Sequence, residues 1–429
     1  MTKSRSAFGF QAGLAFLLAV GTAPALFAQD AQNYIVQFRA GVTAAARRAA
    51  VGNAGASARV VYDGVSAASV RVPNDRAMRA LQARADVVAV IPDRAVFADQ
   101  SANAKAAGKP GGGGGTTQIV PAGVVRVGAP RAGSDGSGVG VAILDTGIDL
   151  THADLAGTID AYSAFGASCM DDEGHGTHVA GIVAARDNTR DVIGVAPAAQ
   201  LYCVKVLDST GSGSDESLMA GLDWVLINHD LVTPAIRVIN MSLGRPGTVD
   251  DNPTMRDLFA ALDAGGVLVV ASAGNDPAAD AGNQIPAAYP QVAAVASTTA
   301  VNGSNQCRFL PAPIAADTAS YFTTDGVKVL ISAPGEERED VSRACQIQGS
   351  GILSLKLGGG TTRMSGTSMS SPHVAGIAAR YFQQNPAYSP SDVRGWIVTG
   401  ASRPGVAPLN SPSSAYTFDG VREGVAQAP

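Results

Sequence analysis

Gly140-Val-Ala-Ile-Leu-Asp-Thr-Gly147 is an apolar run that ends on an acid and a glycine. Its stretch Gly140–Leu144 carries no polar residue, as expected for a strand buried on both faces in a parallel sheet. Leu201–Leu207, Arg237–Met241, Val267–Ala271 and Val292–Ala296 read the same way. Helical stretches lie between and after them: His178–Arg186, Ser217–Asn228, Thr254–Ala264, Ser371–Gln383 and Ser391–Val398. Strands alternating with helices predict an α/β fold with a doubly wound, mainly parallel sheet. Functional side chains of such a sheet belong at the carboxyl ends of its strands, where Asp145 stands.

Upstream, the pattern changes. Tyr34–Phe38, Ala58–Tyr62, Ala67–Val72 and Val87–Ile91 read as strands, with helices over Thr43–Val51 and Asp75–Ala85. The order βαββαβ predicts a small α+β, ferredoxin-like domain over residues 29–100. Residues 101–116 then form a linker in which Lys109-Pro110 leads into five glycines, a flexible and protease-accessible composition. The first 28 residues read as a secretory signal, with Lys3 and Arg5 ahead of the apolar run Ala7–Val20 and small residues at Ala23, Ala25 and Ala28. Export to the medium or the periplasm is therefore expected, with no membrane attachment once the signal is cut. Residues 404–429 suggest only an irregular tail.

A net charge of −5 argues against a nucleic-acid partner, since phosphate binding needs a basic face. Four cysteines in an exported chain fit two disulfides, for which three pairings exist. Pairing sequence neighbours closes the shorter loops and favours Cys169–Cys203 with Cys307–Cys345. Buried free thiols are the alternative.

Three segments carry chemistry. Asp145 follows a buried strand, where a carboxylate needs a partner. In Gly174-His-Gly-Thr-His-Val-Ala-Gly181, His175 opens a helix between glycines. His175 and His178 could pair on a metal, but the zincin spacing and its glutamate are missing. In Gly366-Thr-Ser-Met-Ser-Ser-Pro-His-Val-Ala-Gly376, Ser368 falls at a helix N-terminus, where dipole and free amides favour negative charge. Each segment alone is ordinary, a turn or a cap. Together, in the order Asp, His, Ser, they closely match the signatures of the subtilisin family. The resemblance covers Gln118–Arg403, so residues 117–403 are expected to form a subtilisin-like peptidase domain, and the small domain resembles the family's propeptide.

The resemblance implies a secreted serine endopeptidase, made as a self-processed zymogen, that hydrolyses polypeptides through an acyl-enzyme on Ser368. His175 would be the base, Asp145 its orienting acid, and Asn275 of Ala271-Ser-Ala-Gly-Asn275 the oxyanion donor. Gly211-Ser212-Gly213 and Ser242-Leu243-Gly244 would flank extended substrate, with Ala273 and Gly274 beside them. Asp215 stands where several family members carry an aromatic residue at the distal pocket. The family's calcium site implies side-chain oxygens of Gln118, Asp154 and Asn188 with carbonyls of Arg186, Arg190 and Val192 around a structural Ca²⁺. The maturation cut is expected in the linker at or near glycines 111–115, with a site nearer Gln100 the alternative. The propeptide would act as an intramolecular inhibitor, and the enzyme is expected to be monomeric.

Overall fold

The computed structural model describes residues 32–99, 117–129, 133–310, 312–402 and 423–429. The signal segment 1–28 and the linker 101–116 lie outside the described residues.

The large domain is built on a nine-stranded sheet. From one edge its order is Thr361–Met364, Ile347–Leu355, Val329–Val341, Val292–Thr299, Leu268–Ser272, Ile236–Met241, Gly140–Asp145, Gln200–Lys205 and Ile159–Ser163. The seven strands from Val329–Val341 to Ile159–Ser163 run parallel, and the first two are antiparallel. Gly140–Asp145 is buried at every position, as its unbroken apolar run requires. Its side chains alternate between two cores. Val141 and Ile143 pack with Val179 and Val183 of helix His175–Ala184 and with Val374 and Ala378 of helix Thr367–Gln384. Ala142 and Leu144 pack on the opposite face with Leu218 and Leu222 of helix Asp215–Asn228 and Leu258 of helix Pro253–Ala264. This is the doubly wound α/β arrangement that the sequence pattern predicts.

The strands Val329–Val341, Ile347–Leu355 and Thr361–Met364 have no counterpart in that pattern. The run Glu336-Glu-Arg-Glu-Asp340 is wholly charged, yet it lies in the second half of a 13-residue strand. A disulfide, Cys307–Cys345, lies beside it, and Cys169–Cys203 is the second. Residues 423–429 are irregular but docked. Val425 exchanges two hydrogen bonds with Ser402, Ala426 N donates to Ser332 O, and Ala428 N donates to Val127 O.

The small domain has strand order Ser57–Tyr62, Ala67–Val72, Gln32–Phe38, Val87–Pro92, with neighbouring strands antiparallel. Helices Ala44–Asn53 and Asp75–Gln82 cover it, giving the ferredoxin-like split. It rests on helix Asp215–Asn228. There Asp223 accepts the N–H groups of Asp63 and Gly64, and Arg59 pairs with Glu216 at 2.8 Å.

Candidate active site

Asp145 ends its strand fully buried. Its Oδ1 accepts the N–H of Thr146 at 2.7 Å and lies 2.7 Å from His175 Nδ1. His175 is the first residue of helix His175–Ala184, and only glycine next to it permits this approach. A Cβ on Gly176 would stand 2.0 Å from the Gly147 carbonyl oxygen and 3.2 Å from Asp145 Cβ. Asp171 holds the turn between them. Its carboxylate accepts from Thr146 Oγ1, the N–H groups of Glu173 and Gly174, and both the N–H and Oγ1 of Thr177.

Burial by itself pushes the His175 imidazole down. The charge of Asp145 and its hydrogen bond, helped by Glu173 and Asp171, outweigh burial and leave the value raised. With Nδ1–H given to Asp145, Nε2 is the acceptor nitrogen, and it has no hydrogen-bond partner among the described residues. His178, one turn on, is also buried and is pushed down to about 3, mainly by burial. Its Nε2 faces the Ile352 carbonyl at 3.1 Å, so it serves the core and not a metal pair with His175.

Ser368 is the second residue of helix Thr367–Gln384. Pro372 lacks the N–H that would bond the carbonyl four residues back. The freed Ser368 carbonyl accepts instead from Ser242 Oγ at 2.8 Å. Ser242 Oγ also meets Asn240 Nδ2 at 3.0 Å and Ser371 Oγ at 2.9 Å, which ties the end of strand Ile236–Met241 to the serine helix. Asn275 follows strand Leu268–Ser272. Its Oδ1 accepts the Thr367 N–H at 2.9 Å and Thr367 Oγ1 at 3.0 Å. A backbone N–H can only donate, so this contact fixes which way the amide points.

The amide points at the small domain. Strand Ala95–Ala98 leaves that domain and enters between Ser212–Ser214 and Leu243–Pro246, antiparallel to both. Val96 pairs with Gly213 and Phe97 with Ser212, Ala98 pairs with Leu243, and Ala98 N donates to Gly211 O at 2.9 Å. Strand alternation buries Val96 completely and leaves Phe97 51% exposed. At the end of this strand the Asp99 carbonyl oxygen accepts from Asn275 Nδ2 at 2.6 Å and from Ser368 Oγ at 2.6 Å. Asp99 N donates to Ser242 O at 3.2 Å.

Gly211, Ser212, Gly213, Ser242, Leu243 and Gly244 thus all meet the inserted segment. Ala273 and Gly274 do not hydrogen-bond it; Ala273 N donates to Val295 O and Gly274 N to Thr367 Oγ1. Asp215 does not face a distal pocket. It is fully buried, with both oxygens 2.9 Å from the Arg245 guanidinium and one 3.2 Å from Asn252 Nδ2. The carbonyl beside Ser368 belongs to Asp99, next to the alternative site near Gln100, and not to glycines 111–115. Asp99, Thr367 and Asp171 hold positions at this site that the sequence reading missed. The apolar run Ala95-Val-Phe-Ala98 after Pro92 was the available signal for the first.

The expected calcium ligands converge in part. Gln118 Nε2 donates to the carbonyls of Arg186 at 2.6 Å and Val192 at 3.0 Å, and Gln118 Oε1 accepts from Asn188 N. Asn188 Nδ2 donates to Asp154 Oδ1 at 2.7 Å. Binding Ca²⁺ would require both amides to turn over and give up the N–H groups of Asn188 and Arg190 that their oxygens now accept; those oxygens would then join two carbonyls and one carboxylate. This oxygen-only set fits Ca²⁺. Arg190 departs from the expectation: it enters through its N–H, 2.6 Å from Asn188 Oδ1. Among the described residues no cluster of three or more His, Cys, Asp or Glu is placed to hold a metal, so this cage would combine one carboxylate, Asp154, with neutral oxygens.

Among the described residues, no helix is long and apolar enough to cross a membrane. Residues 136–418 match the model of the Subtilase family. Subtilisin Savinase of Lederbergia lenta is 39% identical over 291 residues, covering 66% of this chain and 92% of that protein. M-protease of Shouchella clausii is 39% identical and subtilisin E of Bacillus subtilis 36% identical; the chain spans 65% of the length of each. A solved structure of a cold-adapted subtilisin-like serine proteinase aligns with a TM-score of 0.56 at 29% identity, covering 73% of this chain and 99% of that one. With Asp145 paired to His175, Ser368 on a peptide carbonyl, and this agreement in sequence and fold, the chain belongs to the subtilase family.

Proposed function

We propose that this chain is an exported serine endopeptidase, synthesised as a precursor that cuts itself between Asp99 and Gln100 and is then inhibited by its own N-terminal domain. One observation carries the reading: the Asp99 carbonyl is held by Ser368 Oγ and Asn275 Nδ2 at the end of a strand paired on both sides. That is the pose of a substrate's acyl side.

In the cut, the Ser368 hydroxyl turns its proton from the Asp99 oxygen to His175 Nε2, which is buried and unpartnered. The Oγ adds to the Asp99 carbonyl carbon, and the oxygen that becomes negative stays on Asn275 Nδ2. His175 then gives its proton to the amine of Gln100 as the C–N bond breaks. Water attacks the Asp99–Ser368 ester with His175 again the base, releasing the acid. Asp145 keeps the imidazole in the tautomer with Nδ1–H and stabilises its cation. Other polypeptides would take the same groove once the N-terminal domain leaves. Ca²⁺ bound by Gln118, Asp154 and Asn188 would pin residues 118 and 186–192 together, a structural role.

Purified wild-type precursor should release a fragment whose mass ends at Asp99, while Ser368→Ala precursor stays whole and fails to hydrolyse casein. A fragment ending within glycines 111–115, or cleavage by the purified Ser368→Ala chain, would overturn the assignment.

A further inference from the structure

Resting on the reading of this chain as a peptidase that cuts after Asp99, we propose that its pocket beside the scissile bond selects a short, polar residue, asparagine or aspartic acid, and that Ser272 determines this specificity. The main chain of Asp99 is clamped by Asn275, Ser368 and Ser242, so the backbone sets where the side chain goes. It enters between Gly244 and Ser272. Ser272 Oγ donates to Asp99 Oδ2 at 2.6 Å. A Cβ on Gly244 would stand only 3.2 Å and 3.8 Å from the two carboxyl oxygens, so glycine makes the wall that they touch.

Among the described residues no lysine or arginine pairs with this carboxyl. The charged groups that act on it are His175 and Asp145, with opposing effects. Arg245, next to Gly244, is spent on the bidentate pair with Asp215. Burial therefore pushes the Asp99 carboxyl up to about 6, against the Ser272 hydrogen bond. A pocket for anions would supply a lysine or arginine, and a pocket for aliphatic or aromatic groups would leave the Ser272 hydroxyl unsatisfied. A hydroxyl can give or accept a hydrogen bond, so an amide or a protonated carboxyl satisfies it.

A consequence separates the two preferred residues. A free aspartyl peptide titrates near 3.9, and the bound one near 6. Binding of the aspartyl peptide therefore weakens as pH rises from about 4 to about 6, by up to about a hundredfold, and then levels off. The asparaginyl peptide has no such dependence.

The test uses mature enzyme and four peptides that copy Ala95-Val-Phe-Ala98 and continue with Asp, Asn, Leu or Phe before the cut bond. Values of kcat/KM are taken from pH 4.5 to 8, and the Asp/Asn ratio removes the titration of His175, which both share. The Asn peptide is expected to be cut best at pH 7.5. The Asp/Asn ratio is expected to fall at least about tenfold between pH 4.5 and 6.5 and to stay flat above. Ser272→Ala is expected to lower Asn and Asp about tenfold while sparing or raising Leu, the loss of one buried hydrogen bond. A preference for Leu or Phe in the wild type, or an equal effect of Ser272→Ala on all four peptides, would overturn the proposal. Fluorophosphonate labelling of Ser368 keeps the two readings apart. Labelled enzyme with the wrong preference defeats only the pocket, and enzyme that neither labels nor cuts casein defeats the peptidase reading beneath it.

Discussion

Two glutamates inside the sheet make the stability of this fold depend on pH in a direction that can be worked out. Glu336 and Glu339 of strand Val329–Val341 are each 1% exposed. They lie behind the serine loop, since the Gly366 N–H donates to the carbonyl of Gly335. Glu339 accepts the Tyr321 N–H at 2.8 Å. The nearby arginines are committed elsewhere, Arg363 to Glu337 and Arg338 to Asp340. Burial pushes Glu339 from the usual 4.5 up to about 7, and burial with the Glu339 charge pushes Glu336 well above its usual value. The folded protein thus holds protons here that the unfolded chain gives up near 4.5, so stability is greatest at acid pH and falls as pH rises through about 7. For Glu339 the rise from 4.5 to about 7 makes about 3 kcal/mol the ceiling on what is lost.

Glu339→Gln removes that titration while keeping an oxygen for the Tyr321 N–H. Urea unfolding of the Ser368→Ala precursor, followed by tryptophan fluorescence from pH 5 to 8, measures the effect without self-digestion. The variant should lose less stability across this range than its parent, by between about 1 and about 3 kcal/mol. Parallel curves for the two proteins would refute the argument that the pair retains a proton in the fold.

Asp145→Asn should cut kcat by about four orders of magnitude. The same change should move the acid limb of kcat/KM to lower pH, because burial would then act on His175 without the opposing charge; pH–rate profiles of wild type and variant check it. Asp215→Ala leaves Arg245 buried without its bidentate partner and should destabilise the precursor by about 3–5 kcal/mol in urea unfolding, with partial recovery in Asp215→Ala/Arg245→Met. Chelation by EGTA should lower the Tm of mature wild type, and Asp154→Ala should abolish that response; equal Tm with and without EGTA in wild type would remove calcium from the account.

What could be read in the sequence and what could not divide along the distance over which each feature is made. Asp145, His175 and Ser368 stood out because their three segments together, in that order, match the subtilisin signatures; an acid after an apolar run, a histidine between glycines and a serine at a helix start are each ordinary alone. The sheet core was legible because Val141, Ile143 and their neighbours need no polar residue between them. The strand through Glu336 and Glu339 was hidden because its carboxyls are buried by partners far along the chain, at Tyr321 and on Ile347–Leu355, and local polarity argues for a loop. Asp99 illustrates the harder limit. The run Ala95-Val-Phe-Ala98 could have been read as a strand, and alternation would then have turned Val96 inward and Phe97 outward. Where that strand stops against the active site is set by contacts 176 residues away at Asn275 and 269 residues away at Ser368. A one-residue slip would exchange Val96 for Phe97 in the groove and move another carbonyl to Ser368. The position proposed for the cut therefore depends on register between two domains, which neither domain's sequence states alone.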